Sequence, residues 1–429
     1  MTDTTGTAAT QFVGRKAGIF AIALRTGILT VLTFGLYRFW MKTRLRQYYW
    51  SAIRPGGLPL EYMGQPIEKL LGFLIAVVFL AFYIGIVNLI LVFGSFAIFH
   101  GNLVAYVVSF VGLVPLWFFA QYRARRYVLA RTRWRGIRFG IEPGAWGYSL
   151  RACLLWLLTI LSLGLLWPVK TFWLEKYRTD RTFFGQVRLH QGGRWTMLIR
   201  PFLWVTIPWL VVLALVGHAL WSLFALSRGL GPGPDHWAGN WDSMGELGLS
   251  LITSGLIGIV ALALMVIGAL HYSVAAFRRL AAHKRAGPLR LTSHLRTGRL
   301  ARIYGFGYLF TYLCVGIAVV LLGVALGLVA FYGAGAPEGV LDFLLLGAQA
   351  DSALARALFI GLSIASYFAI FIIWSVFLHV FVTLPRLRHY AETLEVHGMD
   401  HLGGVLQRER DEFAEAEGFA EALDLGAAI

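Results

Sequence analysis

The chain has 429 residues, 58% of them hydrophobic and 14% charged, with a formal net charge of +16. Soluble domains carry about a quarter charged residues, so this composition excludes an ordinary soluble globular domain. The surplus of Lys and Arg points to an anionic neighbour, and beside so much apolar chain that neighbour is membrane phosphate.

The first 14 residues are polar and hold no short apolar core with a cleavage site, so the first apolar segment is expected to serve as an uncleaved anchor. That segment, 17–37, is interrupted by Arg25. Five stretches then lack Asp, Glu, Lys and Arg altogether: 70–122, 201–227, 247–277, 303–337 and 357–385. Spanning a bilayer takes roughly 20 apolar residues. The first stretch therefore suffices for two spans, broken at His100-Gly101-Asn102, and each of the others for one. Backbone in lipid must satisfy its own hydrogen bonds, so the spans read as helices. A further segment, 152–169, is uncharged but short.

The connecting stretches sort by charge. Residues 122–138 hold seven basic and no acidic residues, and 277–302 hold eight and none. By contrast, 228–246 sets Arg228 against Asp235, Asp242 and Glu246, while 333–352 holds Glu338, Asp342 and Asp351 with no basic residue. Basic stretches mark the cytoplasmic side. The expected fold class is thus an all-α polytopic membrane protein of about six transmembrane helices. They form three hairpins, 70–98 with 103–121, 201–226 with 247–275, and 303–332 with 353–383, with both termini cytoplasmic. Segments 17–37 and 152–169 are basic at both ends, so a crossing would strand a basic cluster outside. They read as two re-entrant or interfacial helices; the rival reading is eight full spans.

A basic phrase recurs at the ends of apolar segments. Arg44, Arg46, Tyr48, Arg54 and Gly57 return as Arg123, Arg125, Tyr127, Arg133 and Gly136 after a shift of 79 residues. A shift of 129 lays Thr33-Phe34-Gly35-Leu36 over Ser162-Leu163-Gly164-Leu165 and Tyr48 over Tyr177. Each phrase runs on into a Gly-punctuated, alternating stretch, which suits short basic β-hairpins beneath the membrane. The organisation is then a polar segment 1–16, a first membrane repeat 17–141, a second 142–300, a C-terminal hairpin 301–388 and an acidic tail 389–429.

Arg44, Arg46, Arg123, Arg125, Arg133 and Arg138 are candidates to bind anions or lipid headgroups, because Arg offers phosphate planar, bidentate contacts. The blander alternative is orientation and anchoring alone. Every cluster sits against a span, which favours membrane lipids and not nucleic acid as partner. Polar groups inside apolar segments form a second set: Arg25, Asn88, His218, His271 and His379, with Arg151 near an end. Intramembrane ionisable groups point to function, although neutral histidines also serve as donors between helices. Cys153 and Cys314 read as core residues, without metal or redox spacing. No zinc, nucleotide-cradling or nucleophile motif occurs, so neither an enzyme nor a cofactor is expected.

Leu32–Arg46, Tyr49-Trp50-Ser51, Glu61-Tyr62-Met63-Gly64, Arg131–Phe139 and Glu417–Gly426 together resemble the YjgN-type inner-membrane proteins of bacteria, over nearly the whole chain. Arg25 departs from the Asn expected there. The resemblance implies the bacterial cytoplasmic membrane, and no agreed substrate, cofactor or catalytic residue. The function expected is transport, a channel or lipid handling with a basic cytoplasmic layer. The alternative is a non-transporting scaffold or regulator acting through that layer and the acidic tail, with homo-oligomers or partner proteins left open.

Overall fold

The computed structural model describes residues 6–99, 103–227, 241–334 and 353–408. The break at 100–102, most of the two acidic connections and residues 409–429 of the tail lie outside the described residues. Among the described residues, five helices are long and apolar enough to cross a membrane: Pro66–Ile98, Trp195–Trp221, Ile252–Ala282, Thr297–Leu328 and Phe359–Glu392.

In chain order the elements are β1 (Thr7–Phe12), α1 (Lys16–Leu32), α2 (Arg38–Ala52), β2 (Ile53–Pro55), β3 (Leu60–Tyr62), α3 (Pro66–Phe82), α4 (Asn88–Phe99), α5 (Leu103–Ala130), β4 (Thr132–Trp134) and β5 (Ile137–Ile141). There follow α6 (Ala145–Leu161), α7 (Trp167–Thr179), β6 (Thr182–Phe184), β7 (Val187–Gln191), α8 (Ile199–Ser227), α9 (Trp241–Ala282), β8 (Lys284–Ala286) and β9 (Leu289–Ser293). The chain closes with α10 (Thr297–Ala334), α11 (Ala353–Leu378), α12 (Leu384–Glu392) and β10 (Leu394–His397). One-turn π-bulges at Tyr83–Val87 and His379–Thr383 interrupt two of the long helices.

The helices pack as pairs: α1 with α2, α4 with α5, α6 with α7, α8 with α9, and α10 with α11. Each pair leads into strands. All the strands join one ten-stranded sheet in the order β2-β1-β10-β9-β8-β7-β6-β5-β4-β3, antiparallel throughout. Its two end strands, β2 and β3, are joined by residues 56–59 alone and touch each other, so the sheet curls into a ring. Among the described residues the last helix pair is followed by a single strand, β10, and β1 pairs with it, Thr7 opposite His397. Curling leaves almost no open strand edge for another chain to pair with.

The protein is mostly helical, and the basic hairpins expected beneath the membrane join into one continuous sheet. The physical reason lies in their turns. β4–β5, β6–β7 and β8–β9 are linked by Arg135-Gly136, Gly185-Gln186 and Gly287-Pro288, with φ of 54°, 55° and 58° at the first residue. Two-residue turns with positive φ there match the twist of paired strands. Alternate residues, such as Ile137, Phe139, Leu189 and Leu291, turn inward onto one core with Ala8, Trp134, Phe184, Leu289 and Val396. Met399, Leu402 and Val405 of the segment after β10 enter the same core. That segment is strapped across the sheet, with Gln186 N donating to Leu406 O (3.0 Å) and Arg138 N to Gln407 Oε1 (2.9 Å).

Segments 17–37 and 152–169, read as re-entrant or interfacial helices, each form part of a helix–turn–helix. α1 stops at Leu32 and α2 runs back; α6 stops at Leu161 and α7 runs back. The two turns are built alike. Phe34 and Leu163 are left-handed, φ 51° and 50°, followed by Gly35 and Gly164 at 88° and 89°. Gly35 N donates to Thr30 O and Gly164 N to Thr159 O, both 2.7 Å, while Phe34 N and Leu163 N reach Val31 O and Ile160 O. This is the Schellman helix ending, with Phe or Leu where glycine normally sits.

Candidate functional site

The arginines singled out from sequence do not converge. Arg44 is exposed on α2, above the Tyr37 ring, while Arg46 is buried between Trp50 and Tyr62. Arg123 and Arg125 lie on α5, so they sit on helix and not in a loop. The helix continues through them because Ala124, Tyr127 and Val128 stay buried at helical spacing. Arg133 and Arg138 face each other across β4 and β5. Like charges directly opposite cost stability, and Arg285 opposite Arg290 repeats the arrangement.

The intramembrane polar residues are also dispersed. Arg25 and His218 are exposed, on α1 and α8. Asn88 follows the first π-bulge. His271 approaches Thr297 Oγ1 (3.4 Å) and Trp204. His379, at the second π-bulge, shares a 3.0 Å hydrogen bond between its Nδ1 and the Tyr49 hydroxyl, tying α11 to α2. Arg151 lies above the Tyr177 ring. Cys153 and Cys314 are unpaired, and no group of residues able to hold a metal occurs among the described residues.

What the fold does assemble is a cavity of about 390 Å³, lined by both charged and apolar side chains, where α5, α6, α7 and α9 meet. One stripe of α7 supplies five of its eleven lining residues: Lys170, Thr171, Leu174, Glu175 and Arg178 fall at the spacing of a single helix face. Pro168 is tolerated in the first turn of that helix, where no intrahelical N–H is needed. Trp117, Phe118 and Gln121 of α5 and Tyr148 and Trp156 of α6 complete the cavity, with Leu280 from α9.

Its electrostatics turn on Glu175. Arg178 Nη2 donates to Oε2 (2.7 Å) and Lys284 Nζ to Oε1 (2.5 Å). Burial alone would raise the Glu175 carboxyl, but Lys284, Arg178 and Arg125 outweigh it and hold the group well below the usual carboxylate range. Burial pulls Arg125 down, partly opposed by Glu175. Lys170 is 5% exposed, and its ammonium lies 3.4 Å and 3.1 Å from the ring centres of Trp156 and Trp167. Burial lowers it to about 8. The indole faces stabilise the cation without occupying its three N–H donors.

Lys170, Glu175 and Lys284 are thus functional candidates that sequence reasoning passed over. One acidic residue inside the basic run Lys170…Lys176…Arg178 was the available signal. A wider cleft of about 1080 Å³ opens at the start of α10, beside Arg296, Arg299, Arg302 and His389. There Arg299 faces Glu392 (3.6 Å).

Long apolar helices standing on a curled sheet define a multi-pass membrane protein. The chain belongs to a bacterial protein family of unknown function, DUF898, whose model matches residues 7–422; the YjgN-type proteins are this family. No curated protein and no solved structure matches it.

Proposed function

We propose that this is a multi-pass protein of the bacterial inner membrane that handles lipids through a basic cytoplasmic layer. One observation carries the reading: the protein buries only 6–22% of the most apolar window of each long helix. Lipid therefore covers most of the surface of those helices, and it is the molecule that the cations at their bases meet first.

Residues 103–121 of α5 supply a sixth span, giving three crossing hairpins with both termini cytoplasmic. The α1–α2 and α6–α7 pairs dip into the membrane and return. Their matching turns and the alternation of helix pairs with strand pairs favour an origin by internal duplication. The chemistry is binding, not catalysis.

The test is native mass spectrometry of the detergent-extracted protein, with Arg44→Ala and Arg125→Ala as controls. Retention of anionic phospholipid that Arg125→Ala weakens is the expected result. A protein that carries no lipid, with no difference on substitution, refutes the reading. A second reading, a scaffold or regulator, is favoured by the strap of residues 399–407 across the sheet, where Gln407 accepts from the backbone of Arg138 on β5. Deleting 409–429 then raises binding to anionic liposomes; unchanged binding counts against it.

A further inference from the structure

We infer that the cavity between α5, α6, α7 and α9 is a specific site for one phosphate-bearing lipid headgroup. This rests on the lipid-handling reading and adds to it a location and a ligand class.

Charge is the first argument. Arg178, Lys284 and Arg125 act on a single carboxylate, Glu175, which is the one carboxylate acting on Arg125 and Arg178 among the described residues, and Lys170 lines the same cavity as Glu175 and Arg178. A site of partly buried cations holding three more positive charges than negative is costly unless an anion compensates it.

Unused donors are the second argument. Glu175 takes Arg178 through Nη2, and Arg178 Nε is buried without a hydrogen-bond partner. Arg125 Nε is in the same condition. Lys170 makes no hydrogen bond among the described residues, yet its side chain is nineteen-twentieths buried and lines the cavity. Guanidinium Nε–H and ammonium donors suit the several oxygens of a phosphate.

The third argument is that the same cavity is also lined by apolar side chains, forming an apolar wall: Trp117, Phe118 and Leu280, with Trp117 exposed on the outer surface of α5. Tryptophan at this position fits the boundary between headgroups and acyl chains. A free phosphate would use the cations and leave this wall unmatched; a glycerophospholipid uses both.

The experiment is lipid titration of the full chain in detergent, read by native mass spectrometry. The probes are phosphatidylglycerol, phosphatidylcholine, inorganic phosphate and glycerol phosphate. One phosphatidylglycerol should bind more tightly than phosphatidylcholine, and Lys170→Gln should weaken it about tenfold. Arg178→Gln should do the same, provided its melting midpoint is unchanged. Because loss of the Glu175 contact threatens folding, Trp117→Ala serves as the second variant. It should lower affinity for the phospholipid and leave that for glycerol phosphate alone. Arg285→Gln, on the exposed strand pair, should change nothing.

Phosphatidylglycerol bound equally well by wild type and Lys170→Gln overturns the site while leaving lipid handling intact. No lipid bound by wild type overturns lipid handling itself. Inorganic phosphate bound as tightly as the phospholipid overturns the lipid assignment and makes the cavity a free-anion site.

Discussion

Replacing Glu175 by Gln separates two roles that one side chain plays at the helix–sheet junction. The carboxylate is 15% exposed and joins Arg178 of its own helix to Lys284, the first residue of β8. Removing one partner from a buried ion pair costs about 3–5 kcal/mol. Arg178 keeps 30% exposure, so the low end, about 3 kcal/mol, applies here. With an unfolding entropy of about 2 cal/mol/K per residue, that lowers the melting midpoint by about 3 °C. Retained monodisperse protein after heating in detergent measures it. The effect must also depend on pH. The folded-state carboxyl lies below its ordinary value of 4.5, so its contribution is present above that value and is lost as pH falls through the depressed one. Wild type and variant should differ at pH 7 and converge in strong acid. At the same time the variant raises the positive charge of the cavity, so anionic lipid should bind more tightly while the fold weakens. Equal midpoints at pH 7, or a gap that does not narrow toward acid, would refute the reasoning.

Four further outcomes follow from particular residues. Phe34 is 99% exposed in a left-handed conformation that costs a non-glycine residue about 1–2 kcal/mol; Phe34→Gly should stabilise the protein in detergent by about that amount, measured by thermal melting. Cysteine placed at 34 or at 163 should resist a membrane-impermeant maleimide applied from outside the cell, and labelling there would show that these pairs cross. Tyr49→Phe removes the hydroxyl from His379 and should cost about 1 kcal/mol, with a chaotrope titration reading the loss. Leu402→Ala empties a position that is 4% exposed in the sheet core and should cost about 2–4 kcal/mol. Limited proteolysis should then cut the strap faster.

The charge-free runs made the long helices legible, because few other structures tolerate such stretches. The turns at Phe34 and Leu163 were half legible. Thr33-Phe34-Gly35 and Ser162-Leu163-Gly164 were recognised as copies of each other, but the glycine was not taken as a helix stop, since the apolar residues run past it. The basic hairpins were legible as short strands; β1 and β10, which lie in the stretches read as a polar segment and an acidic tail, were not. Pairing Thr7 with His397 joins opposite ends of the chain, and no local pattern encodes a contact of that separation. The same limit hid the cavity: Gln121, Trp156, Glu175 and Lys284 meet only because the ring brings α5, α6, α7 and β8 to one place. Met399, Leu402 and Val405 recur every third residue, a signal masked by the glycines at 398, 403 and 404.

The ring explains how helices so little buried in one another keep a common arrangement. In lipid, apolar side chains gain nothing by leaving their surroundings for each other, so long helices that bury 6–22% of their most apolar windows have weak cause to associate. Below them the balance reverses: strands rich in Phe, Leu and Ile leave water when they pack, and each Leu or Phe buried there contributes about 1.5–3 kcal/mol. The core drawn from β1 and from β3 to β10 thus holds the bases of the helix pairs. The charged cavity lies where the helix pairs meet this sheet, and the lipid reading proposed above sets a headgroup there with its chains in the bilayer.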